Sequence, residues 1–489
     1  MDGVHEAEPG PELGVTDPPT NHGGSPPRGL AHVPQSSVDR GRYGRMFRQL
    51  APFAPRDATL KRLADSMQPY PQPTAGEPEP AEATAGAVQP GENPDIPAGY
   101  TYLGQFVDHD ITFDPTSVLQ RRNDPDALVN YRTPRFDLDL IYGSGPNDQP
   151  FLYDQADPHK LLIGHNLDPA QEPVDLPRNA QGRALLGDPR NDVHIIISQL
   201  TLAFLHFHNA VVDHLRARKV PDADLFAEAQ RITRWHYQWV VTEDYLQRTV
   251  GPEVLRRVLP VDPAGGGRRA ELRYYKWKND PFMPVEFSAA AYRFGHSQVR
   301  STYFLNENQP PKHILLPMLD ADPLDHLEGF RPLPKGWTIG WDLYFEIDGS
   351  QPQLSRRIDT KMVGPFNRLP PALDAVGRSM AFVDMVRGRA LGLPSGQDVA
   401  AAMKLSRSDL GLKGKTPLWY YLLAEAEVDN GGVRLGPAGA TIVAEVLVGL
   451  LAADPSSYLR AAPAWTPELP SAKPGTFTMG DLLRFAGMA

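Results

Sequence analysis

The chain has 489 residues, a formal net charge of −10 and no cysteine. The acidity, which no long run of lysine and arginine offsets, argues against a nucleic-acid partner. Without cysteine there can be no disulfide framework and no iron–sulfur cluster, while the cellular compartment stays open. The first residues lack the basic start and apolar core of a signal peptide. No apolar run reaches the roughly 18–20 residues needed to cross a bilayer, so no membrane span is expected.

The N-terminal part of the chain is dominated by loop-forming residues. Residues 1–40 are rich in Pro, Gly, Ser and His and are predicted to be disordered or extended. A helical pattern follows over 43–67, and residues 68–98, again rich in Pro, Glu and Ala, are predicted to form a long loop. The remainder contains no internal repeat, and residues 41–489 are predicted to form a single domain.

Residues 102–114 read Tyr-Leu-Gly-Gln-Phe-Val-Asp-His-Asp-Ile-Thr-Phe-Asp, the most informative stretch of the chain. In a helix, Gln105 and His109 lie four residues apart on one face, and Asp108 lies on the same side. Asp110 is rotated by about 100° from His109 and points elsewhere. One helix would thus present a histidine, an amide and a carboxylate to one cavity, and a second carboxylate to another site.

A loop with alternating oxygen donors, Thr-Pro-Arg-Phe-Asp-Leu-Asp, follows over 133–139. Calcium takes roughly six to eight hard oxygen ligands, so such a loop suits this ion. On spacing alone an exposed acidic loop is the simpler interpretation, and both interpretations stay open.

A turn over 187–192, Gly-Asp-Pro-Arg-Asn-Asp, leads into a strongly apolar segment. Over 195–215 apolar residues recur every three or four positions, which predicts a buried helix. A turn before a helix can hold Arg190 outside the regular helix and direct it into a cavity. A capping turn with a solvated arginine is the alternative.

Two later segments carry further candidate site residues, an arginine and a histidine in the first and an aspartate and an arginine in the second. Residues 291–300 contain Arg293 and His296, and a lone histidine in such a half-apolar segment is more often a core residue than a ligand. Further on, Asp384 and Arg387 lie on one predicted helix, where the simplest role for the arginine is a surface ion pair.

Most other periodic segments are helical as well, whereas strand-like segments are short and scattered. The 51 prolines favour many short connections over long sheets. The chain is therefore predicted to be mainly α, a large single-domain helical fold with few short strands. Helical periodicity marks residues 224–250, 373–391, 418–427 and 437–452, and a strand-like pattern marks 338–347.

Three of these segments, in the same chain order, resemble the animal haem peroxidases of the peroxidase–cyclooxygenase superfamily, in a bacterial-type form. The string Gly-Gln-Phe-Val-Asp-His-Asp resembles the family's distal helix, the 187–192 turn its distal-arginine segment, and Arg-Phe-Gly-His its proximal helix. The resemblance implies the helical haem peroxidase fold, with His109 and Arg190 as catalytic residues. It also implies that Gln105 positions peroxide, water or a halide.

On the proximal side the resemblance implies a b-type haem whose iron is bound by His296. Arg293 and Arg387 match family arginines that lie near the haem propionates. Asp384 stands where the family has an asparagine that accepts a hydrogen bond from the proximal histidine. A carboxylate there would draw the imidazole toward imidazolate more strongly, and so favour oxidised iron and O–O cleavage.

The resemblance further implies a calcium site that ties the 133–139 loop to the distal helix and keeps His109 positioned. The implied ligands are Asp110, both oxygens of Thr133, the carbonyl of Arg135, and the carboxylates of Asp137 and Asp139.

Other positions depart from the mammalian members, in which two carboxylates form esters with haem methyl groups. Asp108 matches the first carboxylate, whereas Val193 occupies the position of the second. His194 occupies the position of a methionine that forms a sulfonium link in one branch. At most one ester, through Asp108, is therefore expected. Arg293 stands where the fatty-acid dioxygenase branch needs a radical-carrying tyrosine, and Tyr292 lies one residue earlier.

These features predict a haem-dependent peroxidase that reduces hydrogen peroxide while oxidising small one-electron donors, with halides as further candidate substrates. A fatty-acid dioxygenase of the same superfamily and a non-catalytic haem-binding helical protein are the alternatives.

Overall fold

The computed structural model describes residues 41–69, 90–113, 123–125, 128–164, 174–263, 266–277, 280–314, 322–367, 369, 379–405 and 409–489. The disorder predicted for residues 1–40 lies outside this range, as do residues 70–89 of the predicted long loop.

Helices dominate the described residues, as the sequence predicts. In chain order they are α1 (Asp57–Ser66), α2 (Gly99–Ile111), α3 (Asp139–Tyr142), α4 (Ile195–Ala217), α5 (Asp222–Trp239), α6 (Leu246–Thr249), α7 (Pro252–Val258), α8 (Val285–Ser288), α9 (Gly295–Gln298), α10 (Met380–Ala390), α11 (Gly396–Ala402), α12 (Leu418–Asn430), α13 (Pro437–Ala453), α14 (Tyr458–Ala461) and α15 (Met479–Phe485). A π-helical stretch, Val240–Tyr245, joins α5 to α6, and 3₁₀ turns precede α4 (Pro189–Asp192) and α9 (Ala291–Phe294).

The strands are short and form small separate sheets at the edges of the helical body. They are β1 (Gly41–Gly44), β2 (Glu92–Pro97), β3 (Val129–Asn130), β4 (Met283–Pro284), β5 (Thr302–Tyr303), β6 (Lys312–His313) and β7 (Leu354–Arg356). β1 pairs antiparallel with β3, Gly41 opposite Asn130, and parallel with β4, Tyr43 opposite Met283. β2 pairs antiparallel with β7, and β5 with β6.

Three local predictions were wrong. The helix expected over 43–67 spans only Asp57–Ser66, because Pro52 and Pro55 interrupt the pattern and lack the N–H that a helix needs. Part of the expected 68–98 loop forms β2. Instead of the strand expected over 338–347 there is a 3₁₀ turn, Trp341–Leu343. Trp341 contacts both Tyr344 and Phe345, and this spacing of three and four residues belongs to a turn.

The central helix of the fold is α4, which packs against α2 and α5. Most of its residues are buried. Among the described helices, α4 is the one whose length and hydropathy would allow it to cross a membrane, yet 83% of its most apolar window is buried inside the protein. Its apolar composition is therefore accounted for by packing against other helices.

Helix α2 is held in register with α4 and α5 by an aromatic cluster. Phe106 stacks on Phe204 of α4 with ring centroids 4.3 Å apart, and Tyr237 of α5 meets both rings edge-on. At the other end, Asn130 of β3 donates a hydrogen bond to the carbonyl of Ile111 (2.8 Å) and accepts one from the N–H of Phe113 (2.7 Å). These contacts fix both the rotation and the end of α2, and hence the directions of the polar side chains that it carries.

Candidate active site

The His109 imidazole is held by a chain of buried hydrogen bonds. Its Nδ1 lies 2.7 Å from Oδ1 of Asn191, whose Nδ2 donates to the Thr201 hydroxyl at 2.9 Å. That hydroxyl donates its one hydrogen to the carbonyl of Ile197 at 2.8 Å. Its oxygen must therefore accept from Asn191, which turns the Asn191 carbonyl toward His109. The proton of neutral His109 thus resides on Nδ1, and Nε2 keeps its lone pair.

Electrostatics keep His109 in this neutral form. Burial lowers the pKa of His109 to about 3, and the positive charge of Arg190 acts in the same direction. At neutral pH the ring is therefore an unprotonated base.

On the same side of α2, the amide of Gln105 is bound by a second histidine. Oε1 of Gln105 lies 2.8 Å from Nε2 of His194, the residue that caps the start of α4. His194 occupies the position of a methionine in one branch of the family, and its contact with Gln105 was not predicted from the sequence.

Arg190 lies beside His109, but its charge is already shared with an acid. Its Nη2 lies 2.7 Å from Oδ2 of Asp188, and its Nε donates to the same carboxylate. Nη2 also donates to the carbonyls of His109 (3.0 Å) and Thr112 at the end of α2, while Phe113 covers the guanidinium at 4.6 Å. Nη1 donates to no described residue. Arg190 thus holds the last turn of α2 through Nη2, whereas Nη1 is not used by any described residue.

Asp188 is fully buried and stays ionised. Burial by itself would raise its pKa, but the hydrogen bonds and charge of Arg190, together with Arg132, outweigh burial and lower the pKa to about 2. Arg132 donates to Asp188 from Nε (3.1 Å) and lies 2.7 Å from it through Nη2. Its Nη1 lies 3.0 Å from Asp139. A single buried guanidinium therefore joins the distal turn to the acidic loop.

On the opposite side of α2, Asp110, Asp137 and Asp139 bring carboxylate oxygens within 4.8 Å of one another. Both oxygens of Asp110 are buried and accept no well-formed hydrogen bond from the described residues, although the Tyr237 hydroxyl lies beside them. Burial and the neighbouring carboxylates raise the pKa of Asp110, and they raise the pKa of Asp139 to about 7. Three acidic side chains thus lie close together on this side of α2.

The loop beside this cluster is folded on itself. The Thr133 hydroxyl donates to Asp137 at 2.8 Å, and the Thr133 carbonyl accepts from the N–H of Arg135 at 2.8 Å. The Asp137 carbonyl accepts from Arg234 of α5 at 2.6 Å. Thr133, Arg135, Asp137 and Asp139 thus lie on one short loop, and the carboxylates of Asp137 and Asp139 approach that of Asp110 on α2.

His296, which lies in α9, is paired with a buried carboxylate. Its Nδ1 lies 2.6 Å from Oδ2 of Asp384, and Nη1 of Arg293 lies 3.4 Å from Oδ1. Burial alone would raise the pKa of Asp384, but the nearby His296, Arg293 and Arg387 outweigh it and lower the pKa. Asp384 is thus a carboxylate that accepts from Nδ1 of His296, which leaves Nε2 for another ligand. Arg293 also donates to the carbonyl of Ser288 at 3.0 Å.

Asp108 lies on α2, directly before His109 in the chain. Its carboxylate accepts from the Thr112 hydroxyl at 3.0 Å, and its charge raises the pKa of both Tyr245 and Tyr292, to which burial contributes most. The charge of Asp108 thus acts on the 3₁₀ turn Ala291–Phe294, which carries Tyr292, and α2 itself packs against α9. Val193, by contrast, is 37% exposed.

The family model for "Animal haem peroxidase" matches residues 119–409, more than half of the chain. The chain belongs to the animal haem peroxidase family. The matched range includes Arg190, His296 and Asp384, whereas Gln105 and His109 precede it, so their assignment rests on the motif and the geometry of α2.

Curated relatives of this family member are themselves longer proteins. The chain is 26% identical over 304 residues to chorion peroxidase of Aedes aegypti. The aligned region covers 60% of this chain and 37% of that protein. It is 26% identical over 358 residues to a peroxidase-like protein of Margaritifera margaritifera, covering 60% of this chain and 44% of the relative. The chain thus spans less than half the length of these relatives.

Solved structures of similar fold include peroxidase A from Dictyostelium discoideum, with a TM-score of 0.60 and 13% identity, covering 91% of this chain and 92% of that one. A fatty acid alpha-dioxygenase from Arabidopsis thaliana has a TM-score of 0.54 and 16% identity, covering 88% of this chain and 76% of that one. At these identities the likeness concerns the fold, and it confirms the predicted mainly α haem peroxidase fold.

Several bonding partners in the site were not predicted from the sequence. Asn191 and Asp188 belong to the quoted turn, but nothing in the string shows that they bind His109 and Arg132. Thr201 is one position among many on an apolar helix. Each of these roles depends on contacts between residues at least ten positions apart, often more than fifty.

Replacing Asp384 by the family's asparagine tests the proximal pair. Asp384→Asn keeps an acceptor for Nδ1 of His296 but removes the negative charge, so the haem iron should become easier to reduce. We expect a more positive reduction potential in a spectroscopic titration, and a reaction with peroxide about 10–100-fold slower. Asp57→Asn, which removes an exposed partner of Arg389 on the same helix α10, is the control. An unchanged potential in Asp384→Asn would contradict the carboxylate's role.

Proposed function

We propose that this protein is a haem-dependent peroxidase that reduces hydrogen peroxide and oxidises small one-electron donors, with halides as further candidate substrates. One observation carries the proposal: on one side α2 presents the amide of Gln105 and the Nε2 of His109, which bonds to no described residue. The same helix packs against α9, where Nδ1 of His296 is bound by Asp384. We further propose that residues 41–489 act together as one haem peroxidase domain.

The proximal residues have the chemistry that haem requires. A neutral imidazole whose Nδ1–H is bound by a carboxylate is a strong ligand through Nε2, and His296 would hold the iron in this way. Arg293 and Arg387 would lie near the propionates. When bound, haem supplies the redox chemistry by which peroxide is reduced.

On the distal side, His109 and Gln105 supply complementary hydrogen-bonding groups. His109 Nε2 accepts the proton of one peroxide oxygen and returns it to the other oxygen, which leaves as water. The Gln105 amide orients the peroxide. Arg190 shares most of its charge with Asp188, and Nη1 is the part of its guanidinium that remains to stabilise negative charge on the leaving oxygen.

The dioxygenase alternative is less well supported. Arg293 stands where that branch needs its tyrosine, and it is bound to Asp384 and Ser288. Tyr292 is buried face to face on Phe287, with ring centroids 4.5 Å apart. A non-catalytic haem carrier would have no use for a histidine whose tautomer leaves Nε2 as a base.

The reaction with peroxide tests this function. One equivalent of peroxide should rapidly change the optical spectrum of the haem-loaded protein, and His109→Ala should slow this change by about 100-fold or more. Because the pKa of His109 is lowered to about 3, the wild-type rate should stay constant between about pH 8 and about pH 5. Stopped-flow absorbance measures both effects.

The control is His313→Ala, which removes an exposed histidine from strand β6. An inflection of the wild-type rate near pH 6.5, the ordinary pKa of histidine, would contradict the neutral buried base. Oxygen uptake with a long-chain fatty acid that disappears in Tyr292→Phe would favour the dioxygenase instead.

We also propose that Asp110, Asp137 and Asp139 bind calcium, assisted by the oxygens of Thr133 and the carbonyl of Arg135. The two oxygens of Asp110 support this most strongly, because they are buried and accept no well-formed hydrogen bond from the described residues, and a buried carboxylate without such a bond is costly. Arg132 balances one of the three charges, and a divalent cation would balance the other two.

Removal of calcium tests this site. The purified protein should contain about one calcium per chain, and a chelator should lower its unfolding temperature, because a ligand that binds only the folded state stabilises it. Asp110→Asn should contain no calcium and should not respond to the chelator. Asp325→Asn, at an exposed position, should behave as wild type. A protein whose unfolding temperature is the same with and without chelator would refute the site.

Finally, we propose that Asp108 forms at most one ester with a haem methyl group. Its carboxylate forms an O–C bond as a methyl C–H bond breaks, and one hydrogen peroxide is reduced to two water molecules. Val193 offers no oxygen, and it is partly exposed to solvent. We therefore expect at most one ester link between the protein and the haem.

Acid–organic extraction measures the ester. We expect part of the haem to remain attached to one peptide that contains residue 108, the attached share to rise after peroxide treatment, and all haem to be extractable from Asp108→Asn. Two cross-linked peptides, or attachment that survives Asp108→Asn, would rule the proposal out.

A further inference from the structure

His194 bonds through both of its ring nitrogens. Nδ1 accepts a hydrogen bond from the backbone N–H of Ile197 at 3.2 Å, as an N-cap of α4. Nε2 lies 2.8 Å from Oε1 of Gln105. His194 is partly buried, and Tyr102 meets its ring edge-on with ring centroids 5.0 Å apart, so the ring is confined from the side as well.

These contacts determine the positions of the hydrogens. A backbone N–H can only donate, so Nδ1 of His194 must carry a lone pair, and a neutral imidazole then carries its hydrogen on Nε2. Burial lowers the pKa of His194 to about 3, which keeps the ring neutral. Nε2–H must therefore donate, and the atom of Gln105 that it meets must be the amide oxygen.

The remaining end of Gln105 is then a pure hydrogen-bond donor. Its Nε2 donates to no residue in the described ranges, and it is not sealed in the interior. Gln105 lies one helical turn before His109 on the same face of α2. Among the described residues the distal side thus offers an acceptor, Nε2 of His109, and, in addition to Nη1 of Arg190, a donor whose direction depends on His194, the amide NH₂ of Gln105.

We propose that His194 is a positioning residue that directs the amide hydrogens of Gln105 toward the side where His109 acts, and that the resulting donor selects anionic ligands of the haem iron. The inference rests on the proposed haem site. A ligand with a negative charge or exposed lone pairs accepts the hydrogens that Gln105 presents, whereas an amide oxygen in the same place would repel it.

Azide, a small anion that binds ferric haem, serves as the probe. Its dissociation constant is measured from the shift of the Soret band of the haem-loaded protein. Gln105→Leu, which removes the donor, should weaken azide binding about tenfold or more. His194→Asn should weaken it about three- to tenfold, because Gln105 keeps its donor but loses the partner that holds it in orientation.

The His194 variants separate orientation from helix capping. Asparagine is among the best N-cap residues but is too short to reach Gln105, so His194→Asn should keep the unfolding temperature near that of wild type. His194→Leu loses the cap as well and should unfold at a lower temperature, with the same azide affinity as His194→Asn. In a Gln105→Leu background, His194→Asn should change the azide affinity by less than about twofold.

Gln105→Glu provides a test that leaves His194 intact. The carboxylate can accept from His194 with one oxygen and turns the other oxygen toward the ligand, so azide should bind more weakly than to Gln105→Leu. Equal affinities of wild type and His194→Asn, or an undiminished effect of His194→Asn in the Gln105→Leu background, would overturn the role of His194 alone. A wild-type protein that binds no haem would overturn the proposed function together with this inference.

Discussion

The distal half of the site depends on one buried carboxylate, Asp188. It caps the 3₁₀ turn before α4 by accepting from the N–H of Arg190, and it binds the guanidinium groups of Arg190 and Arg132. Through Arg190 it holds the last carbonyls of α2, and through Arg132 it reaches Asp139. Removing it would leave the partly buried Arg190 without its carboxylate and the buried Arg132 with Asp139 alone, which is more costly than losing a surface ion pair. Because its pKa is lowered to about 2, the stabilisation from Asp188 is present above about pH 4 and is lost as the pH falls toward 2.

The first turn of α4 determines the protonation pattern of the distal side. The carbonyl of Ile197 accepts from Thr201, which sets Asn191 and so places the proton of His109 on Nδ1. The N–H of the same residue, Ile197, donates to His194, which sets the amide of Gln105. One residue of a rigid, buried helix thus decides which distal group accepts and which donates. A backbone group cannot change its donor or acceptor character with pH, so the pattern is built into the fold.

The charges around α2 are arranged in opposite ways on its two sides. Toward the acidic loop, three carboxylates face one arginine, so this side has excess negative charge. Toward the proximal helix, Asp384 is surrounded by His296, Arg293 and Arg387, so the carboxylate is stabilised without a metal ion. We propose a cation for the first arrangement; in the second, Asp384 binds Nδ1 of His296 and leaves its Nε2 available. Arg132 connects the cluster to Asp188, so the proposed calcium site and the distal arginine share one buried ion-pair network.

The sequence alone determined the features that depend on local spacing. The string over 102–114 predicted a helix with Gln105 and His109 on one face and Asp110 directed elsewhere, because side-chain directions along a helix follow from its period. The family could likewise be read from three short motifs, and the buried helix α4 from its apolar repeat. Predictions failed where prolines or clustered aromatic residues overrode a weak pattern, as over 43–67 and 338–347.

Only the tertiary structure decided what each polar group does. Arg190 was expected to point into a cavity, yet most of its hydrogen bonds go to Asp188 and to the end of α2. The proton position of His109, the contact of His194 with Gln105, and the bridge through Arg132 involve partners more than fifty residues away in the chain. A local sequence pattern contains no information about which distant acceptor reaches a given donor. That choice is made when the helices pack, because each buried polar group must then find a partner among the few that the packing brings within reach.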